Sequence, residues 1–172
     1  MDIYQVNGLP LHVLLVHVVI ILLPVTALCV ILFSVWPAFR RRVGIIMAIL
    51  GVLLIAVVPI TAQAGQWLKD RVPDTPLINA HAVIAGTLWP WSLSLGVLSI
   101  AAWLWYFTLA RRDNPDVPHA GPRHFGARRA VAVLITVLAI GIGGYATAHT
   151  VMIGEAGSRA IWQNSFSETP LR

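Results

Sequence analysis

Four long apolar segments limit this chain to folds that cross a membrane. They extend over about residues 11–36, 43–64, 77–109 and 129–153, and each is longer than the roughly 20 residues that a helix needs to cross hydrocarbon. Strands that span a membrane are about 10 residues long and alternate apolar with polar positions, which these continuous runs do not do. The sequence therefore predicts an all-α fold, a single integral membrane four-helix bundle over residues 1–172.

The composition agrees with a membrane protein. Hydrophobic residues make up 58% of the 172 positions and charged residues 11%, with a mean hydropathy of +0.78, whereas about 25% of residues are charged in a soluble domain. We therefore expect no extramembrane catalytic domain and no stand-alone enzyme. Asp2 is the only charge before the first segment, and that apolar run is too long for a secretory signal, so we expect the first helix to remain in the mature protein.

The basic residues predict the orientation of the helices. Eight of the twelve lysines and arginines lie in the connections after the first and third segments: Arg40, Arg41, Arg42, Arg111, Arg112, Arg123, Arg128 and Arg129. Because such connections face the cytoplasm, we expect both termini outside, an N-out/C-out bundle. The pI near 10.4 would suggest nucleic acid for a soluble protein, but here we expect the arginines to set topology and to meet anionic lipid headgroups of the bilayer, with no nucleic-acid partner.

Three histidines on three different segments are the candidate functional residues. His17, His81 and His149 return to a common level near the outer face when the segments cross alternately, and other polar residues fall close to that level: His12, Gln63, Gln66 and Glu155. Polar side chains inside hydrocarbon are costly and usually mark a functional site. The inner halves of the four segments hold no histidine, carboxylate or amide side chain. We therefore expect these polar side chains near the outer face of the membrane only.

Neutral imidazole is a common ligand of haem iron, copper and zinc. His17 with His81 or His149 could supply two axial ligands to haem b, or all three could bind one transition metal ion. His12 lies five positions before His17, about 140° around a helix, so the two are expected to point in different directions. Gln63 or Glu155 could orient an imidazole. The alternative is that the histidines only form interfacial or interhelical hydrogen bonds and bind no cofactor.

Three functions are compatible with these residues. The first is electron transfer by a haem or metal centre in the outer leaflet, without a catalytic residue of its own. The second is an accessory or structural subunit of a larger, respiratory-type membrane complex, or a homo-oligomer, without a cofactor. The third, a proton or small-solute pathway, is less favoured because the inner half lacks the polar residues of a continuous path. The glycines at 141–144 predict close packing against another helix.

The first segment carries the motif LPLHVLLVHVVIILLP at residues 9–24. It resembles the first helix of a family of small four-helix bacterial membrane proteins, a domain of unknown function, which opens on a His-Pro-Leu-Leu-Val-His-Phe-Pro-like motif and ends its last helix on a Gly-His-x-Gly-like motif. The resemblance implies a multi-pass protein of the bacterial inner (plasma) membrane with His12 and His17 as signature residues. Val13 replaces a frequent proline and Glu155 a frequent histidine, so His149 would have to substitute for the latter.

Overall fold

The computed structural model describes residues 3–112, 123–163, 165 and 167. The connection at 113–122 and the side chains of residues 109–112 and 123–125 lie outside the described part, so the positions of three of the eight arginine side chains do too. The elements in chain order are β1 (Gln5–Val6), β2 (Leu9–Pro10), α1 (Leu11–Val35), α2 (Pro37–Val43), α3 (Ile46–Lys69), α4 (Pro76–Gly86), α5 (Trp89–Arg112) and α6 (Arg123–Trp162).

The prediction of four apolar helices is confirmed for the described residues. Helical stretches long and apolar enough to cross a membrane are Leu11–Val35, Ile46–Lys69, Pro76–Thr108 and Gly126–Trp162. The second and fourth helices differ from the expected bounds at both ends, and they begin at Ile46 and Arg123 rather than at about residues 43 and 129. The second helix continues to Lys69 and the fourth to Trp162, because their polar last turns continue the helix after the apolar run has ended.

The third stretch is broken between α4 and α5. The amides of Thr87 and Leu88 donate to the carbonyls of Ile84 and Ala85, each three residues back, which tightens the chain and ends α4. Pro90 then lies in the first turn of α5, where its missing N–H leaves no bond unmade. Of the three prolines inside the apolar segments, Pro24 and Pro59 lie within continuous helices.

The long apolar helices follow one another around the bundle. The helix α1 packs against α3 and α6, and α5 packs against the same two helices from the other side. Neighbours in this order are antiparallel, so the starts of α1 and α4 meet the ends of α3 and α6. We call this the histidine end. At the opposite, arginine end, the last turns of α1 and α5 lie together.

Small residues allow the helices to approach closely in the middle of the bundle. A Cβ added to Gly51 on α3 would lie 2.6 Å from the carbonyl oxygen of Gly96 on α5, and one added to Gly143 on α6 would lie 2.4 Å from the Cβ of Ala27. The predicted packing role of the 141–144 glycines is thus confirmed for Gly143, whereas Gly141 and Gly144 face open space. Ser99 adds a hydrogen bond of 2.7 Å across the first crossing, to the carbonyl of Met47.

Arg40 on α2 closes the arginine end. The last carbonyls of a helix lack partners within it, and the Arg40 guanidinium donates to two of them in α1, Phe33 O and Ser34 O, both at 2.8 Å. Its Cζ lies 3.5 Å from the ring centroid of Tyr106 on α5, and the Tyr106 hydroxyl also donates to Ser34 O. Partial burial lowers the pKa of Arg40, yet an arginine stays protonated at any physiological pH, so the contact is permanently charged.

A small hairpin precedes α1 at the histidine end. Asn7 and Gly8 have positive φ angles of 51° and 79°, the conformation of a two-residue turn between paired strands. The hairpin closes on the helix because the Leu11 amide donates to the Tyr4 carbonyl at 2.8 Å. The Tyr4 ring lies 5.9 Å from the ring of Trp67 near the end of α3, which holds the hairpin against that helix.

Candidate histidine site

His12 in the first turn of α1 reaches across to α3. Its Nδ1 lies 2.9 Å from the Thr61 carbonyl oxygen, and because a carbonyl only accepts hydrogen bonds, Nδ1 must carry the hydrogen. The ring lies directly over Gly65, where an added Cβ would be 2.9 Å from Nδ1. The glycine therefore makes room for the imidazole, and the carbonyl fixes both its tautomer and its orientation.

His81 on α4 is held in the same way by α6. Its Nδ1 lies 3.1 Å from the Ile153 carbonyl oxygen, and its ring covers Gly157, where an added Cβ would lie 3.1 Å from Cε1. The partner carbonyl again belongs to the residue four positions before the glycine. Two histidines on different helices thus use one arrangement twice: a ring on a glycine, with Nδ1 bonded to the carbonyl one turn earlier.

A short repeat in the sequence underlies this arrangement. The segments Gln63-Ala64-Gly65-Gln66 and Glu155-Ala156-Gly157-Ser158 occupy equivalent places near the ends of α3 and α6, the second and fourth of the long apolar stretches. In both, a small alanine precedes the glycine that receives a histidine ring. The shared pattern of an acid or amide, alanine, glycine and a polar residue is the signal that sequence reasoning missed, since four residues are too few to be noticed without the fold.

The two imidazoles lie against each other. The ring centroids of His12 and His81 are 6.3 Å apart, with the ring planes at 75°, and both side chains are partly buried. Each Nδ1 is used as a donor, so in the neutral ring each Nε2 keeps a lone pair. No described residue forms a hydrogen bond with either Nε2. The pair thus presents two unused acceptor nitrogens at the histidine end.

The other two candidate ligands have different surroundings. His17 is exposed, and its Nδ1 bonds the Val13 carbonyl of its own helix at 2.7 Å, so His12 and His17 do point in different directions. His149 stacks on Tyr145, with centroids 5.6 Å apart, and its Nε2 lies 2.7 Å from the Thr87 hydroxyl at the break between α4 and α5. The structure brings His81 together with His12, and it shows no contact of His81 with His17 or His149.

The residues expected to orient the imidazoles lie on exposed surface. Gln63 and Gln66 are exposed on α3. Glu155 forms an ion pair of 2.6 Å with Arg159 one turn later, and both side chains are more than half exposed. Backbone carbonyls of Thr61 and Ile153 take the orienting position instead. Sequence reasoning has no means of finding them, because every residue has a carbonyl.

Within the described ranges, no three histidine, cysteine or carboxylate side chains are grouped so that they could hold a metal ion. The two imidazoles whose rings meet at this end are those of His12 and His81. The comparisons with known proteins add nothing to the assignment, since no family model, curated protein or solved structure matches the chain.

Proposed function

We propose that this protein is a multi-pass membrane protein that binds a redox cofactor, haem b or a transition metal ion, through His12 and His81 and serves in electron transfer. In this proposal the four apolar helices cross the bacterial inner membrane, both termini are outside, and the histidine end lies in the outer leaflet. The arginine distribution supports the orientation, and the resemblance of the first helix to a family of small bacterial membrane proteins supports the location.

The observation that carries the proposal is the state of the two rings. A histidine that binds a metal almost always donates its other ring N–H to a carbonyl, a carboxylate or water, which fixes the ring and raises its basicity. Both His12 and His81 donate in this way to carbonyls of a neighbouring helix. A histidine that only joins two helices would need no partner ring, yet these two meet.

The separation of the rings agrees with a shared metal. With metal–nitrogen bonds of about 2.1 Å, two imidazoles on one metal have centroids about 4.6 Å apart at right angles and about 6.5 Å apart on opposite sides, so the observed 6.3 Å would fit two nitrogens on nearly opposite sides of the metal. Haem iron and a single ion are both compatible with this distance. A haem would in addition need space for its flat ring around the metal, whereas a single ion would not.

The test is an absorbance spectrum and an elemental analysis of the full chain purified in detergent. We expect either a Soret band with one iron per chain or one transition metal ion per chain. The His17→Ala variant is the matched control on the same helix, and we expect it to keep the cofactor. A protein without a Soret band, without bound metal and without uptake of either when supplied would contradict the proposal.

A second function is favoured by the surface of α6. Only 22% of the residues in its most apolar stretch are buried inside the chain, against 39% for α1, so a smaller share of this stretch is covered than in the other three. An accessory subunit of a larger membrane complex would cover it with a partner. Co-purification of a defined complex in mild detergent, with no cofactor in the chain, would support this second function over the first.

A further inference from the structure

The helix α4, which carries His81, has little contact with the core of the bundle. None of its eleven residues is buried, whereas seven residues of α1 and six of α3 are. Ala64, which precedes Gly65 at the same histidine end, is only 1% exposed, so a position near the end of the bundle does not explain the difference. A segment with few buried contacts separates from the rest of a fold at low cost.

Both ends of α4 allow it to move as one body. At its start, the Thr75 hydroxyl caps the helix by accepting a hydrogen bond from the Ile78 amide at 3.2 Å, so the first turn is complete without α3. At its end, the tightened turn at Thr87 separates α4 from Leu88, which is buried in the core. A 3₁₀ turn inside a long helical stretch often marks a hinge.

Two hydrogen bonds among the described residues fasten α4 to α6. The first joins His81 Nδ1 to the Ile153 carbonyl. The second joins His149 Nε2 to the Thr87 hydroxyl oxygen at 2.7 Å. Because α4 and α6 are antiparallel, these bonds hold α4 at positions 81 and 87, about 9 Å apart along its axis. Without the second bond, α4 would be fastened at one position only.

The direction of the second bond follows from the other contact of Thr87. Its hydroxyl donates to the Ile84 carbonyl at 2.8 Å, so its oxygen must accept from His149, and Nε2 carries the hydrogen. His149 is therefore the opposite tautomer to that of the paired histidines. When this bond breaks, Thr87 keeps its carbonyl partner, whereas the His149 N–H is left without one against lipid or detergent, which is costly. The bond thus favours the closed position of α4.

We propose that α4 is a gate over the histidine pair, and that His149 is a positioning residue that keeps this gate closed through Thr87. When α4 swings about the turn at Thr87, His81 leaves both the His12 ring and the Ile153 carbonyl, and the pair opens to a ligand. The inference rests on the proposed function only in what the gate admits, since the movement belongs to the chain without a cofactor.

The movement is tested by distances between spin labels on the full chain, purified in detergent without cofactor and with Cys29 replaced by alanine. One pair of labels joins α4 to α1, at Val83→Cys and Ile21→Cys, and the control pair joins α5 to α1, at Val97→Cys and Ile21→Cys. All three labelled positions are exposed. We expect a second, minor distance for the α4 pair and a single distance for the control. A single narrow distance for both pairs would overturn the inference.

Four variants test the role of His149 in the α4 pair. Thr87→Val removes the acceptor oxygen, and His149→Phe removes the donor but keeps a ring that can stack on Tyr145. We expect each to raise the open population about fivefold, because one interhelical hydrogen bond is lost. Thr87→Ser and His149→Gln retain an acceptor and a donor and should retain the wild-type ratio. Unchanged ratios in Thr87→Val and His149→Phe would overturn the role of His149, and the wild-type distances decide on the movement even if a variant fails to fold.

Cofactor exchange separates a gate from a merely structural contact. A cofactor bound to His81 would itself hold α4 closed, so we expect His149→Phe to leave the cofactor content unchanged while the transfer of cofactor to an excess of a competing haem-binding protein or chelator becomes about fivefold faster. A chain with the second distance and no cofactor would overturn the proposed function and leave the gate in place. A bound cofactor with a single α4 distance would overturn the gate alone.

Discussion

At the arginine end of the bundle, Arg40 donates to two carbonyls of α1 and also covers the ring of Tyr106. At the histidine end, His12 and His81 each use one ring nitrogen and leave the other without a partner among the described residues. Both ends join helices through a side chain bonded to backbone carbonyls. They differ in what remains afterwards, because the Arg40 guanidinium has no acceptor atom, whereas each of the two histidines keeps a ring nitrogen whose lone pair a ligand can use.

Because of this difference, we expect the arginine end to contribute mainly to stability and the histidine end mainly to ligand binding. A carbonyl at a helix end that loses its partner pays the cost of desolvation, so the arginine end should matter most for the folded state. The histidine bonds lie near the ends of the helices, and such interhelical bonds are worth about 1 kcal/mol or less. The comparison therefore predicts that variants at the two ends affect different measurements.

The largest effect on stability is expected for Arg40→Ala. It removes two charge-assisted hydrogen bonds and the contact with the Tyr106 ring, so we expect the free energy of unfolding to fall by about 3 kcal/mol. Unfolding by a denaturing detergent, monitored by circular dichroism, measures the change. Arg41→Ala, at an exposed neighbour, should change the stability by less than about 0.5 kcal/mol, and an equal loss in both variants would show that the carbonyl contacts are not what stabilises this end.

A smaller effect on stability is expected at the histidine end. Replacing either His12 or His81 by alanine removes one interhelical hydrogen bond, and we expect a loss of about 1 kcal/mol for each. The same unfolding experiment on the cofactor-free protein checks this value. A loss as large as that of Arg40→Ala would mean that the pair is mainly a structural connection, which would weaken the contrast between the two ends.

The smallest effect is expected for Glu155→Gln. Its ion pair with Arg159 is exposed on both sides, and exposed pairs of this spacing contribute about 0.3–0.5 kcal/mol. We also expect the cofactor content to stay the same, because backbone carbonyls and not this carboxylate orient the imidazoles. A cofactor loss in Glu155→Gln, measured by elemental analysis, would restore Glu155 to the role that the sequence alone suggested.

Hydropathy is sufficient to predict the four apolar helices, because few backbone structures other than a helix suit a long apolar run in hydrocarbon. It could not reveal the break at Thr87 and Leu88, since Pro90 is compatible with a kink as well as with a new helix start. The hairpin at Asn7 and Gly8 was within reach, because that dipeptide is a strong signal for a two-residue turn. A signal of two residues is nevertheless weak in comparison with four long apolar segments.

The meeting of polar residues at one end of the bundle was predictable, and the identity of the residues that meet there was less so. Alternate crossings bring His12, Thr61, His81 and Ile153 to one end, as the helix directions imply. Whether His12 or His17 faces the bundle depends on the side of α1 against which α3 packs. Hydropathy alone does not predict that side. The repeated glycines, Gly65 and Gly157, carry this information because each accepts a ring that a larger residue would exclude.

The central claim is that the His12 and His81 pair, and no other pair of histidines, holds the cofactor. Its most direct test is the cofactor content per chain, by elemental analysis and absorbance, of two double variants purified side by side: His12→Ala with His81→Ala, and His17→Ala with His149→Ala. We predict that the first double variant loses the cofactor while the second retains it at the wild-type level. Loss in the second and retention in the first would contradict the account.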